Sequence, residues 1–155
     1  MNKTSTPSVK AALVLVTLRV AGQLCGIPVS GVRDILGGQA ITPVPLAPPE
    51  VAGSLNLRGR IVTAIDLRRR LGLAASKPGC PRMAVVTEQG HELYAVLVDE
   101  VLEVLTLDGD RIEPAPPTLP SNWTRFSHGV CRLDDTLMIV IDIDRVLAIS
   151  PDHAV

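Results

Sequence analysis

The sequence predicts an all-β protein with a few short helices, arranged as two small, similar lobes that share a core. Three observations predict it. Hydrophobic residues are 46% of the 155 positions, yet Tyr94, Trp123 and Phe126 are the only rings, so any core is filled by Val, Leu and Ile. The apolar runs are short and are broken repeatedly by 12 Gly and 13 Pro, the punctuation of strands and turns. Finally, the chain repeats itself.

The repeat is gapless over long stretches. Residues 24–36 lie over 93–105, with Leu24, Val29, Val32 and Leu36 meeting identical residues and Asp34 meeting Glu103. Ile41-Thr42-Pro43-Val44-Pro45 matches Ile112-Glu113-Pro114-Ala115-Pro116, and residues 53–71 lie over 129–147. In the last stretch Leu57 meets Leu133, Ile65 meets Ile141, Asp66 meets Asp142, Arg69 meets Arg145 and Leu71 meets Leu147. Each copy is too small to bury much surface alone, so the two should pack on a common apolar interface. A groove between them is the natural binding site.

Taken in order, residues 1–10 read as a flexible tail and 11–150 as one domain. The first lobe is expected at about 11–73, a linker at 74–81, the second lobe at 82–141, a C-terminal helix at 142–149 and a frayed end at 151–155. Ala12 to Val20, Leu24 to Val29 and Val32 to Leu36 read as strands. Pro43, Pro45, Pro48 and Pro49 form a stiff connector, since proline has no N–H for a central ladder. Pro49 to Ser54 reads as one helical turn. Leu55 to Arg58 and Arg60 to Ile65 form a hairpin around Gly59, and Asp66 caps a short helix ending at Gly72. The second copy repeats the plan with strands at 83–87, 93–98, 101–105, 129–133 and 137–141, after which Asp142 caps the last helix.

Composition removes several function classes. Lys+Arg 15 against Asp+Glu 16 gives a net charge of -1, with no field to draw a polyanion. With three rings besides, a small-barrel nucleic-acid binder is a distant alternative. The run Arg68-Arg69-Arg70 reads as a solvated helix face. Cys25, Cys80 and Cys131 are far apart, neither a disulfide framework nor a zinc site, and fit a reducing, cytoplasmic setting. No apolar run reaches the ~20 residues of a membrane helix. His91, His128 and His153 lack partners at catalytic spacing, and no phosphate-binding glycine loop occurs, so no enzymatic site, metal or cofactor is expected.

The repeat also acts as an internal control. Residues present in both copies, such as Asp66/Asp142 and Gly53/Gly129, answer to the fold. Arg58 differs: its counterpart is Asp134, within Arg132-Leu133-Asp134-Asp135. At a hairpin tip its guanidinium fork suits a partner's carbonyls or carboxylate, and equally a carboxylate of its own chain. Val32/Val101 and Ile35/Val104 read as core, or as lining of the groove.

The segment Gly53-Ser54-Leu55-Asn56-Leu57-Arg58-Gly59-Arg60-Ile61-Val62-Thr63-Ala64-Ile65-Asp66-Leu67 closely resembles the hallmark of the CheW family, the coupling proteins of bacterial chemosensory arrays. The resemblance runs through Gly26-Ile27-Pro28-Val29, Ile41-Thr42-Pro43-Val44-Pro45, residues 98–104 and residues 141–147, covering about 11–149. Thr63-Ala64 stands where the family usually has Pro-Val, Asp34 where it has Glu, and Cys25 where an aromatic is common. The resemblance implies two small SH3-like five-stranded β-barrels with a C-terminal helix and no enzymatic activity. It implies an adaptor between the cytoplasmic tips of chemoreceptors and the regulatory domain of a CheA-type histidine kinase. By motif position, Arg58, Val32, Val101 and Val104 would face the receptor, and Gly53 with Asn56 would support kinase contact. A related adaptor in a non-motility pathway (surface sensing, pili or second-messenger output) is the alternative.

Overall fold

In the computed structural model, residues 12–38, 40–74 and 82–148 are described. The expected tails at 1–10 and 151–155, the linker beyond Ala74, Cys80 and His153 lie outside them. The strands are β1 (Ala12–Val20), β2 (Gln23–Pro28), β3 (Val32–Gly37), β4 (Val51–Leu57), β5 (Arg60–Asp66), β6 (Met83–Gln89), β7 (Glu92–Val98), β8 (Glu100–Asp108), β9 (Ile112–Glu113), β10 (Ser127–Leu133) and β11 (Thr136–Ile141). Three helices of one turn or little more punctuate them: α1 (Leu67–Arg70), α2 (Ser121–Arg125) and α3 (Ile143–Leu147).

Two local expectations are corrected. Pro49 to Ser54 is not helical: after a turn closed by the Val51 N–H on the Pro48 carbonyl (2.9 Å), the chain enters β4. Thr42 and Ser54 exchange backbone bonds of 2.8 Å, and pairing along β5 outweighs the local turn preference. The second copy carries α2, which the repeat did not foretell. It inserts Trp123 and Phe126 into the core, where the first copy passes directly from its prolines into β4.

The sheets are mixed from the two copies. One has five strands in the order β3-β6-β7-β5-β4, the other six in the order β8-β1-β2-β11-β10-β9, and no pairing of end strands closes either among the described residues. The first hairpin of each copy therefore crosses to the other lobe. The β1–β2 hairpin pairs with β8 and, in parallel, with β11; β6–β7 pairs with β3 and, in parallel, with β5. The lobes are thus not the contiguous spans 11–73 and 82–141. Self-comparison finds the repeat but is blind to this exchange, because the two copies offer equivalent strands and either pairing satisfies the same pattern.

The exchange places the main core between the lobes. Seventeen buried side chains form one cluster drawn from both sheets, including Leu18 and Ile27 of one and Val85 and Val96 of the other, with Trp123, Phe126 and Leu147. The private cores hold only seven buried residues around Val62 and four around Met138. Removing a side chain such as Ile139 from the shared cluster should cost about 2–5 kcal/mol.

Gly53 and Gly129 show why both copies keep glycine here. Each sits at a register shift with φ of 149° and 155°, and an added Cβ would lie 2.2 Å from the Thr42 carbonyl oxygen and 2.5 Å from that of Glu113. Asp66 and Asp142 cap as expected. The Asp66 carboxylate accepts from the Arg68 and Arg69 amides (3.0 and 3.4 Å), and Asp142 from the Arg145 amide (3.2 Å).

Candidate functional site: the hairpin tip and the groove between the lobes

Arg58 and Gly59 form the two-residue tip between β4 and β5, both at positive φ, the pattern that matches strand twist in a tight hairpin. Asn56 holds the tip by accepting the Gly59 N–H at 3.0 Å. Arg58 is 79% exposed along its side chain, and its Nη2 donates to Asp34 Oδ2 at 3.1 Å. Both sequence readings of Arg58 are therefore met in part: it has a carboxylate of its own chain, yet most of its donor fork faces outward. The pair ties the tip to β3, the edge strand that begins at Val32.

The other site residues are distributed less simply. Val32 on β3 and Val101 on β8 are half-buried and pack on the shared cluster, so they mark where the two edge strands approach the common core. Val104, three residues along β8, is 58% exposed. Arg58 makes no hydrogen bond or ion pair with β8 among the described residues. Gly53 is buried and offers no surface of its own; whatever it contributes to binding passes through the shape of β4.

The lobes are locked by residues that charge-run reasoning misread. Arg68 and Arg70 are not a solvated face; only Arg69 is exposed. Arg68 grips Asp99 with Nε and Nη2 at 2.9 and 2.7 Å, and Asp99 accepts the Ala21 N–H of the β1–β2 turn at 2.8 Å. These bonds, above all the Arg68 hydrogen bonds, hold the Asp99 carboxyl below its ordinary range despite its partial burial. The Arg70 side chain, 11% exposed, donates to the carbonyls of Arg145, Val146 and Ala148 at 2.9–3.1 Å, capping the end of α3 from the opposite lobe. It also lies 4.9 Å over the Phe126 ring. The control that singled out Arg58 applies here too: the counterparts of Arg68 and Arg70 are Asp144 and Val146, neither of them basic.

No reactive group gathers around this framework. Among the described residues no three His, Cys, Asp or Glu side chains are placed to hold a metal. Burial pushes the Cys25 thiol up to about 12, far from a nucleophile's range. No helix of the described residues is long and apolar enough to cross a membrane.

The molecule is built as a scaffold: a locked two-lobed β framework that exposes Arg58 and Ile61 at a hairpin tip, Ile35, Leu102 and Val104 along edge strands, and Val44 and Leu46 on the proline connector. The chain belongs to the CheW family, whose profile, that of the CheW-like domain, matches residues 14–150. It is 30% identical over 132 residues to the chemotaxis protein CheW of Rhizobium meliloti, covering 85% of each chain. It is 29% identical over 112 residues to Protein PilI of Pseudomonas aeruginosa, covering 72% of this chain and 63% of the other. In structure it resembles the scaffolding protein TtCheW of Thermoanaerobacter tengcongensis, with a TM-score of 0.79, 28% identity, and coverage of 90% of this chain and 95% of that one.

Proposed function

We propose that this chain is a non-enzymatic cytoplasmic adaptor that couples the cytoplasmic tips of chemoreceptors to the regulatory domain of a CheA-type histidine kinase, at membrane-associated arrays. What supports the reading most is the family match along nearly the whole chain. The mechanism is positional. The interlobe clasps fix the angle between the lobes, so a receptor seated on both is held at a set geometry to a kinase bound on one. Arg58, Val32, Val101 and Val104 serve the receptor, while Asn56 and the β4 surface shaped by Gly53 serve the kinase. Each contact is weak alone and strengthened by the many copies of an array. Similarity to Protein PilI supports a second reading, the same adaptor in a non-motility chemosensory pathway.

Pull-down with purified baits tests this: a kinase regulatory domain and a receptor tip from the same organism. Binding to both is expected, and binding to neither by demonstrably folded protein overturns it. Arg58→Ala should weaken the receptor tip by about tenfold or more while Tm stays within a few degrees, since its ion pair is exposed. A large fall in Tm with receptor binding unchanged would remove Arg58 from the site.

A further inference from the structure

The repeat relates two places at the junction of the lobes, and they are filled differently. At one, Arg68 reaches across to Asp99, whose N–H donates to the Arg19 carbonyl (3.1 Å), while Arg19 pairs with Glu100 at 3.4 Å. The counterparts of Arg68, Asp99 and Arg19 are Asp144, Ser30 and Glu88; strand register confirms the last, since Arg19 faces Leu24 as Glu88 faces Leu93. There the structure has a cavity of about 210 Å³ lined by Ser30, Gly31, Glu88, His128, Asp142 and Asp144. The cationic side chains of the first place are replaced by carboxylates. Glu88 is engaged by Arg33 at 2.9 Å, and Asp142, the counterpart of Asp66, by Arg145 at 3.3 Å with His128 Nδ1 at 3.7 Å, while Asp144 has no ion pair or side-chain hydrogen bond among the described residues.

We propose that this cavity is a docking pocket for an arginine side chain of a protein partner. At the equivalent place the chain's own Arg68 guanidinium is held on Asp99 by two bonds; in the cavity Ser30 stands for that carboxylate and Asp144 for the arginine, so the space of a guanidinium is left open beside a different carboxylate. A bare divalent ion fits poorly, because the carboxylates do not converge to ligand distance among the described residues. The pocket opens beside Gly31, immediately before Val32. Resting on the adaptor reading, the arginine would come from the partner that lies along β3.

The test uses the full chain and a small probe, so it does not depend on either adaptor partner. In a ¹⁵N NMR titration, N-acetylarginine amide should produce saturable shifts at the amides of Ser30, Gly31 and Asp144, and its neutral isostere N-acetylcitrulline amide should not. Asp144→Asn should weaken the probe by about fivefold or more. The pair Ser30→Asp with Asp144→Arg rebuilds the occupied place, and should abolish probe binding while leaving Tm equal or higher. Shifts from both probes or from neither overturn the proposal, as does calcium or magnesium displacing the arginine probe at lower concentration. Undiminished probe binding by the folded double variant does the same. Failure of receptor or kinase binding would touch only the adaptor reading.

Discussion

The two lobes are built on one plan, and their hairpin tips have diverged. In the five-stranded lobe Arg58 straps the β4–β5 tip to Asp34 on β3. In the six-stranded lobe the matching residues are Asp134 and Glu103, two like charges that cannot form such a pair. That end stands open as a pocket of about 420 Å³ with Leu24, Leu102, Leu105 and Leu133 in its walls. Duplication fixed the backbone in both places and left the charges free to diverge. One end became a strapped tip that presents an arginine, the other an open apolar mouth whose charged residues are Arg19 and Glu103. The same divergence recurs at the lobe junction, where Arg68 and Asp99 face Asp144 and Ser30.

Breaking what the lobes share should cost most. Gly53→Ala and Gly129→Ala each force a Cβ against a backbone carbonyl at a φ that L residues avoid, and each should lose about 3–5 kcal/mol in urea denaturation. Gly53 should suffer more, its Cβ lying 2.2 Å rather than 2.5 Å from the obstructing oxygen. Equal, small losses would mean that the register shifts relax freely. Next comes what the lobes do not share. Asp99→Asn should cost about 2 kcal/mol near neutrality, whereas Ser30→Ala, its counterpart, should cost under about 0.5 kcal/mol. Because the folded Asp99 carboxyl titrates below its unfolded value, its contribution is fully present above about pH 4 and fades as pH falls through the lowered folded value. The gap between wild type and Asp99→Asn should close on that acid side; a gap that persists in acid would assign the loss to packing.

The smallest expected effect sharpens the comparison from the other direction. Thr87 is fully buried and its hydroxyl has no hydrogen-bond partner among the described residues, while Leu18 fills the equivalent position. Thr87→Val removes the unsatisfied oxygen at nearly constant volume and should raise stability by about 1 kcal/mol, read as a higher urea midpoint at unchanged slope. A loss would show that the hydroxyl has a partner in solution.

Much of this was legible in the sequence because a repeat reports on itself. The strands, the Asp66 and Asp142 caps and the glycine pair follow from positions that agree between copies. The hairpin exchange did not follow, since equivalent strands compete for the same pairing and local pattern does not choose between them. Arg68 and Arg70 were misread because three charges in a row are ordinarily solvated, and only tertiary structure reveals the α3 carbonyls that Arg70 meets. Pro49 to Ser54 reads as helical because Pro49 can begin a helix as readily as it can precede a strand. Of the site residues, Arg58 and Asn56 could be placed at the tip in advance. How far Val32 and Val101 sink into the shared core depended on which face of each edge strand turns inward.

The exchanged hairpins also carry a consequence for how the molecule comes into being. The β1–β2 hairpin is synthesised ahead of both its neighbours in the sheet, β8, which begins 72 residues after β2 ends, and β11, the final strand of the described residues. Neither half of the nascent chain can complete a lobe alone: the five-stranded sheet waits for β7, which ends at Val98, and the six-stranded sheet for β11, which ends at Ile141. Such long-range pairing folds slowly and leaves strand edges open in the interval. A message cut short after α1 would yield not a smaller working lobe but two orphaned halves of different ones.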